Sequence, residues 1–191
     1  MGLTHTSTGA GAADGGLEIR REGGEQVVAL AGNPNVGKST VFNAMTGLRQ
    51  HTGNWPGKTV TNAQGYCQWR GESYLLVDLP GTYSLMAHSP EEEVARDFLC
   101  SGQADAAVVV CDATCLERNL NLVLQTLELT PKVVVCVNLM DEARKKGIRL
   151  NLEKLSQPLG VPVVGTAAGR GEGLEELMEQ VARVCRGEGV A

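Results

Sequence analysis

The sequence predicts an α/β fold with a largely parallel sheet that carries helices on both faces. Short apolar runs alternate with helical patterns along the chain, and unbroken runs of this kind are typical of parallel strands buried on both sides. Five runs are predicted to be strands, at residues 27–31, 75–77, 106–111, 133–137 and 161–164. The chain has 191 residues, of which 42% are hydrophobic, and this length supports one well-buried core rather than two large ones. We therefore expect a single domain.

The predicted domain occupies residues 27–187, between two tails. Residues 1–26 are rich in small and polar residues and show no apolar period, which indicates a flexible N-terminal tail. Residues 188–191 form a short C-terminal tail. Two apolar stripes recur at helical spacing inside the domain, and we predict that they face its core. The first comprises Leu116, Leu120, Val123, Leu124 and Leu127, and the second comprises Leu174, Leu177, Met178 and Val181.

Composition excludes several classes of function. The formal net charge is −5, and the basic residues are scattered apart from a short cluster at 144–146, so nucleic acid is not an expected partner. No run approaches the roughly 18 apolar residues that a membrane-spanning helix needs. The cysteines form no C-x-x-C pair and several lie in apolar runs, which favours reduced, buried thiols.

The first motif lies between the strand predicted at 27–31 and a helical pattern. Residues 32–39 read GNPNVGKS, the pattern of a phosphate-binding loop in the strand and helix setting that it requires. In such a loop, backbone N–H groups surround the β-phosphate, Lys38 neutralises the β- and γ-phosphates, and the Ser39 hydroxyl ligates Mg²⁺. A chance glycine-rich turn is the weaker explanation. The residues expected to contact a nucleoside triphosphate are Asn33, Asn35, Val36, Gly37, Lys38, Ser39 and Thr40.

A second motif indicates that the base is guanine. Residues 138–141 read NLMD and follow the apolar run 133–137, at the carboxyl edge of the predicted sheet. Asp141 can accept from the ring N–H and the exocyclic amine of guanine, while Asn138 can bond the other edge of the base and tie the loops together. Adenine lacks that pair of donors, so the Asp141 carboxylate would be left unpaired beside adenine. The cost of leaving it unpaired favours guanine over adenine. Leu139 replaces the usual lysine and is expected to pack against the base.

On its own, this N-x-x-D pattern more often marks a turn after a strand. Its position, about a hundred residues after the phosphate loop and at the end of a strand, is what makes the guanine interpretation strong.

Two further loops complete the predicted site. Residues 78–81 read DLPG after a strand, where Asp78 is expected to hold Mg²⁺ through water and the Gly81 N–H to sense the γ-phosphate. Such a sequence is common as a plain turn, so its order between the other motifs supports the functional interpretation. Ala167 and Ala168 follow the last predicted strand, and we interpret them as the final base loop, with the Ala168 N–H donating to the guanine carbonyl. This is the least specific of the assignments.

The segment after the first helix resembles one family closely. Residues 47–60 read GLRQHTGNWPGKTV and resemble the first switch of the cytosolic G domain of FeoB-type ferrous iron transporters. Residues 77–85, VDLPGTYSL, and residues 112–120, DATCLERNL, are similar to the same family. The resemblance covers about residues 27–185. It implies a P-loop GTPase with a Ras-like G domain that binds GTP and GDP with Mg²⁺.

The resemblance also implies residue roles. Thr59 would ligate Mg²⁺ and close on the γ-phosphate, and Asn35 would help to hold K⁺ beside the phosphates with backbone carbonyls around Asn54 and Trp55. Such a cation can offset developing charge as an arginine finger does, and a loop-stabilising role for Asn35 is the alternative. Thr82 stands where many GTPases carry a water-orienting glutamine, so slow hydrolysis is expected. The implied K⁺ site predicts that K⁺ stimulates this hydrolysis. The candidate catalytic residues are Lys38, Asn35, Thr59 and Gly81.

The family continues into a helical regulatory domain and a polytopic membrane region, and this chain resembles an excised G domain without them. We expect the isolated chain to be soluble. In the full-length protein it would lie at the cytoplasmic face of the bacterial inner membrane. The resemblance also allows the protein to form oligomers. Two departures from the family pattern are Thr61, where an acidic residue is common, and Ala167, which replaces a serine.

Two other classes of function compete with a GTPase of iron transport. A stand-alone ribosome-associated or tRNA-modifying GTPase would carry a basic appended domain, which the sequence lacks. A P-loop kinase or ATPase would not explain Asn138 together with Asp141. We therefore expect a regulatory GTPase that switches between GTP and GDP states, in which the loop at 49–61 and the loop after Gly81 move.

Overall fold

The structure is a computed structural model that describes residues 17, 19, 23–47 and 49–188. Most of the predicted N-terminal tail, and the last three residues, lie outside the described part. Leu17 is buried, with 8% of its surface exposed, and Ile19 packs against the same core. The first strand begins at Gln26, one residue before the predicted start of the domain. The described part of the segment before this strand therefore contributes to the core.

The described residues form seven strands, six α-helices and one 3-10 turn. The strands are β1 (Gln26–Gly32), β2 (Gln50–Asn54), β3 (Thr61–Trp69), β4 (Glu72–Asp78), β5 (Ala106–Asp112), β6 (Val133–Asn138) and β7 (Val163–Gly165). The helices are α1 (Lys38–Thr46), α2 (Pro90–Cys100), α3 (Leu116–Leu129), α4 (Met140–Lys145), α5 (Leu152–Leu159) and α6 (Leu174–Cys185), and the 3-10 turn is Ala168–Arg170. None of these helices combines the length and the hydropathy that a bilayer-spanning segment requires.

The strands form one sheet in the order β2-β3-β4-β1-β5-β6-β7. Five of them run parallel, which confirms the predicted α/β fold, whereas β2 pairs antiparallel with β3 and β3 with β4. Neither β2 nor β3 was predicted, because neither is an apolar run: β3 reads TNAQGYCQW and β2 reads QHTGN. The predicted loop at 49–61 is therefore wrong in part, since residues 50–54 form an edge strand.

Each face of the sheet has its own core. Alternate side chains of β1 point to opposite faces, as the period of a strand requires: Val27 and Ala29 join one core, and Val28 and Leu30 join the other. Helices α2, α3, α4 and α5 cover the first core, and α1 and α6 cover the second. The predicted stripe on α6 is confirmed, because its residues pack in the second core.

The predicted stripe on α3 is wrong at Leu124, which is 52% exposed. The other four residues of the stripe pack against the first core as predicted, and the helix also buries Asn119, Leu122 and Thr126. Thr126 donates to the Leu122 carbonyl at 2.8 Å, and Asn119 Nδ2 donates to a carbonyl one turn earlier at 2.9 Å. Polar residues whose hydrogen bonds are made locally can be buried, and a purely apolar pattern does not detect them.

Helix α2 begins with a variant of the capping box, in which the second hydrogen bond comes from the N–H before the N-cap residue. The Ser89 hydroxyl accepts from the Glu92 N–H at 3.2 Å, and the Glu92 carboxylate accepts from the His88 N–H at 3.1 Å. Pro90 occupies the first helical position, where its missing N–H is not needed. The start of α2 is therefore fixed at the point where the connection from β4 ends.

Candidate functional site

The predicted phosphate-binding loop connects β1 to α1. Gly32 ends β1 and Lys38 begins α1, so the free N–H groups of the helix start face the loop. Gly37 has a φ of 82°, and a Cβ at this position would lie 2.3 Å from Asn138 Nδ2. Only glycine fits, because a side chain would collide with Asn138 and strain the backbone. Asn35 also has a positive φ, 65°, and is exposed.

The other predicted contacts of this loop differ in exposure. Ser39 and Thr40 lie in the first turn of α1 and are exposed. Val36 is buried. Asn33 is buried as well, and its Oδ1 has no hydrogen-bond partner within the described residues. An unpaired buried oxygen marks a position where a ligand or water is favourable.

Asn138 ties three loops together at the end of β6. It is 1% exposed, and its Nδ2 donates to the Val36 carbonyl at 3.1 Å. Its Oδ1 accepts from the Thr166 hydroxyl at 3.0 Å and from the Ala168 N–H at 3.1 Å. The phosphate loop and the last base loop are therefore joined through one side chain. The predicted contact of Asn138 with the base stays a prediction.

Asp141 lies in the first turn of α4, beside this junction. Its side chain is 16% exposed, and the nearest cationic atom is Arg170 Nε, at 3.8 Å from Oδ2. Leu139 precedes the helix with a φ of 63°, and its Cδ2 would lie 3.8 Å from a Cβ on Gly37, so it packs over the phosphate loop. The carboxylate is thus held at the carboxyl edge of the sheet, where the sequence places it.

The backbone N–H groups of the last base loop bond within the protein. Ala167 and Ala168 are buried, and the Ala167 N–H donates to the Glu172 carbonyl at 3.1 Å. The Ala168 N–H donates to Asn138 Oδ1 and not outward. The predicted donation from the Ala168 N–H to a guanine carbonyl stays a prediction.

Lys38 and Asp78 face each other beside the predicted phosphate-binding loop. Lys38 Nζ donates to the Asp78 carboxylate in a short ion pair and to the Leu79 carbonyl at 2.7 Å. Burial raises the pKa of Asp78, and Lys38 opposes part of that rise. The sequence predicts different partners for these residues, the phosphates for Lys38 and Mg²⁺ for Asp78. The structure pairs them, and the attraction offsets part of the cost of desolvating the two charges.

A cavity of about 610 Å³ opens beside this ion pair. The predicted residues Lys38, Asp78 and Gly81 line it. The remaining lining residues are Thr52, Gly53, Asn54, Thr61, Asn62, Ala63, Leu79 and Pro80. Asn54 of β2 was expected beside the phosphates through its backbone carbonyl. Thr52, Asn62 and Ala63 were not predicted there, because only the register between β2 and β3 reveals their approach to Lys38.

Thr59 is not among the residues that line this cavity. It is exposed, and it lies in the six-residue connection between β2 and β3, next to the buried Val60. Asn35 and Ser39 also lie outside the cavity wall. The wall of this cavity therefore brings together Lys38, Asp78 and Gly81. Ser39 lies outside the wall but follows Lys38 directly in the first turn of α1.

The start of the second predicted switch is attached to the phosphate loop. The Thr82 N–H donates to the Gly32 carbonyl at 3.1 Å, and Thr82 is buried. A Cβ on Gly81 would lie 3.4 Å from Pro34 Cα, so the two backbones are in near contact. Beyond this attachment, Tyr83 and Met86 are exposed.

Comparison with known proteins places this geometry in a family. Residues 26–181 match the FeoB_N family model, described as ferrous iron transport protein B. The Fe(2+) transporter FeoB of Escherichia coli (strain K12) is 44% identical over 167 residues, which cover 85% of this chain and 22% of that protein. The chain therefore spans about a fifth of the length of this relative.

Solved structures agree. The crystal structure of the G domain of the T. maritima FeoB iron transporter has a TM-score of 0.80 and 44% identity, covering 84% of this chain and 98% of that one. The T. maritima cytosolic domain has TM-scores of 0.81 in GDP form I and 0.82 in the GMPPNP form, with 44% and 45% identity. These matches cover 85% and 84% of this chain and 64% of the longer chains. The chain belongs to the FeoB_N family of ferrous iron transport protein B and folds as a P-loop G domain.

Proposed function

We propose that this chain is the GTP-binding and slowly GTP-hydrolysing regulatory domain of a ferrous iron membrane transporter, and that it switches between GTP and GDP states. The observation that carries the proposal is the junction at Asn138, which joins the phosphate loop to the last base loop and holds Asp141 beside both. A carboxylate at this place can pair with both donors of guanine. The GDP and GMPPNP forms of the T. maritima relative support the same ligand class.

Lys38 supplies positive charge for the phosphates, and Gly81 supplies an N–H donor. Phosphate oxygens would take the place of Asp78 and the Leu79 carbonyl as acceptors for Lys38, and the lysine would then offset the charge that develops during cleavage. Gly81 lines the same cavity, so its N–H is near the expected position of the γ-phosphate. Thr82 is buried and too short to orient the attacking water, which supports slow hydrolysis.

Mg²⁺ and K⁺ fit the donors that the chain offers. Both are hard cations that prefer hydroxyl, carboxylate and amide oxygens. Ser39, Thr59 and, through water, Asp78 would hold Mg²⁺, and Asn35 would help to hold K⁺. The Ser39, Thr59 and Asn35 side chains are accessible because all three residues are exposed. When bound, the ions would offset the negative charge of the triphosphate.

The remainder of the transporter is the proposed partner. The chain spans 22% of the E. coli relative, so a helical regulatory domain and a transmembrane region would receive the motion of the switches. The domain would then lie at the cytoplasmic face of the bacterial inner membrane. A stand-alone ribosome- or tRNA-associated GTPase is less well supported, because the net charge is −5 and the match is to a transporter family.

Nucleotide competition tests the assignment of the base. Asp141→Ala should weaken GDP binding by about 1–3 kcal/mol or more, because guanine loses its paired acceptor. Glu142→Ala is a matched control, since Glu142 is the next residue of α4 and pairs only locally with Lys145 in the described structure. If ATP competes as well as GTP with a labelled GDP in the natural sequence, guanine recognition is wrong.

Steady-state hydrolysis in K⁺ and in Na⁺ tests the second cation. Turnover should be faster in K⁺. Asn35→Gly keeps the backbone freedom that a φ of 65° requires but deletes the amide oxygen, so the preference for K⁺ should disappear while GDP affinity stays nearly unchanged. Equal turnover of the natural sequence in the two salts would contradict the proposed K⁺ site.

A further inference from the structure

The connection between β2 and β3, residues 55–60, is fastened to α2 and not to the phosphate loop. Trp55 is 6% exposed, and its ring meets Phe98 of α2 edge to face, with centroids 5.6 Å apart and planes at 72°. Aromatic pairs prefer this geometry, and it adds to the gain from burial. Lys58 forms a short ion pair with Glu93, five residues earlier on the same helix. One apolar contact and one ionic contact thus hold the connection against α2.

The connection is also closed on itself. The Trp55 N–H donates to the Val60 carbonyl at 2.7 Å, and the Lys58 N–H donates to the Trp55 carbonyl at 3.0 Å. Gly57 takes a φ of 70° in the middle of this turn. Thr59 lies inside the closed turn, so its position depends on where Trp55 is docked.

We propose that Trp55 is the positioning residue of the first switch: docked against Phe98, it holds Thr59 away from the phosphate cavity, and binding of a guanosine triphosphate with Mg²⁺ undocks it. This inference rests on the proposed function. Thr59 is exposed and absent from the wall of the cavity that Lys38 and Asp78 line. A turn that carries Thr59 toward Lys38 and Asp78 would move relative to α2, and the contact of Trp55 with Phe98 opposes that movement.

Two observations show that the docked arrangement can open. Trp55 Nε1 is buried without a hydrogen-bond partner among the residues described, and a buried unpaired donor opposes the gain from packing. Within the described residues, the strand before the turn, β2, pairs only with β3, and its residues 51–54 are exposed. Segments with few buried contacts open at low free energy.

The docking also joins the two switches. Helix α2 follows directly on the second switch, and its start is fixed by the capping box at Ser89. The first switch rests on the same helix through Phe98 and Glu93. Undocking of Trp55 therefore frees one side of the helix that the second switch enters.

Tryptophan fluorescence tests the proposal. The chain has two tryptophans, and Trp69 packs against the opposite core, so Trp69→Phe leaves Trp55 as the only reporter without touching the turn. With saturating GMPPNP and Mg²⁺, Trp55 emission should move to longer wavelength and iodide should quench it more strongly than with GDP and Mg²⁺. Trp55→Phe, which keeps Trp69, is the matched control and should give the same spectrum with both nucleotides.

A second variant separates positioning from simple stabilisation. Phe98→Leu keeps an apolar side chain but removes the aromatic contact, so Trp55 should be more exposed in the GDP form, and the affinity for GMPPNP relative to GDP should rise several-fold. A structural role alone would lower stability and leave that ratio unchanged. Identical Trp55 emission and quenching in the two nucleotide forms would overturn the inference. If calorimetry detects neither nucleotide binding, the proposed function fails instead.

Discussion

The base end and the switch end of this domain are built differently. At the base end, Asn138 is 1% exposed and makes hydrogen bonds to three other residues, so the loops around Asp141 are joined within the protein. At the switch end, Thr59 is exposed and lies outside the cavity wall that contains Lys38 and Asp78, which pair with each other. Under the proposed function, selection of the base would therefore depend on loops already joined in the fold, whereas the reactive arrangement would require Thr59 to move.

The position of each end in the sheet explains the contrast. The base end lies where β6 stops, and β6 is hydrogen-bonded on both sides, to β5 and β7. The switch end is bounded by β2, which has one neighbour. Backbone pairing on both sides restricts local opening, and an edge strand with exposed residues is the part of a sheet that detaches most readily.

The largest expected effect is at the base end. Asn138→Ala should lower the free energy of unfolding by about 2–4 kcal/mol, because the Val36 carbonyl, the Thr166 hydroxyl and the Ala168 N–H lose a buried partner. Urea unfolding in the absence of nucleotide measures this. Asn54→Ala, an exposed substitution at the switch end, is the control and should change stability by less than about 0.5 kcal/mol. Equal effects would remove the contrast between the two ends.

Hydrogen exchange compares the two ends within one sample. Residues 49–61 should gain protection when GMPPNP and Mg²⁺ replace GDP, because contacts to the γ-phosphate and Mg²⁺ order them. Residues 133–138, the buried strand β6, should remain protected in both forms. Unchanged exchange at 49–61 would show that this segment is not the switch.

Thiol chemistry measures the rigidity of the base end. Cys136 lies two residues before Asn138, and burial raises its pKa to about 12. The thiolate is the reactive form, so near neutral pH Cys136 should resist alkylation, and reactivity should rise only toward strongly alkaline pH or on unfolding. The exposed Cys100 and Cys115 should be modified first, as peptide mass spectrometry can show. Early modification of Cys136 without nucleotide would mean that the base end opens.

The smallest expected effect concerns the ion pair that holds the first switch on α2. Glu93→Gln should lower stability by no more than about 1 kcal/mol, because both partners are partly exposed and water screens them. Thermal unfolding at low and high salt measures the effect, which should shrink as salt rises. Glu91→Gln, on the exposed face of the same helical turn, is the control. A larger loss would place the main anchor of the turn at Lys58 and not at Trp55.

The sequence predicts the base end better than the switch end, for physical reasons. Parallel strands buried on both faces leave unbroken apolar runs, and Asn138 follows one of them, so fold and motif support each other. The antiparallel β2 and β3 leave no such run, because β2 is exposed and β3 mixes polar and apolar residues. The pairing of Lys38 with Asp78 depends on tertiary distance, which spacing along the chain does not contain.

Particular hydrogen bonds escape sequence reasoning in the same way. A backbone N–H carries no sequence signal, so the donation from Ala168 to Asn138 follows only from the folded loop. Leu124 shows the opposite case. Its apolar side chain fits the helical period but is exposed, whereas the polar Asn119 and Thr126 of the same helix are buried.

The close approach of Gly37 to Asn138 links two motifs that lie far apart in the chain. The amide of Asn138 uses the space that a Cβ on Gly37 would fill. A Cβ at 37 is excluded twice, by the φ of 82° and by the Asn138 amide. A shorter residue at 138 would remove only the second obstacle, and it would break the junction between the loops. A change at one position therefore cannot compensate for a change at the other, and we expect the two motifs to be retained or lost together.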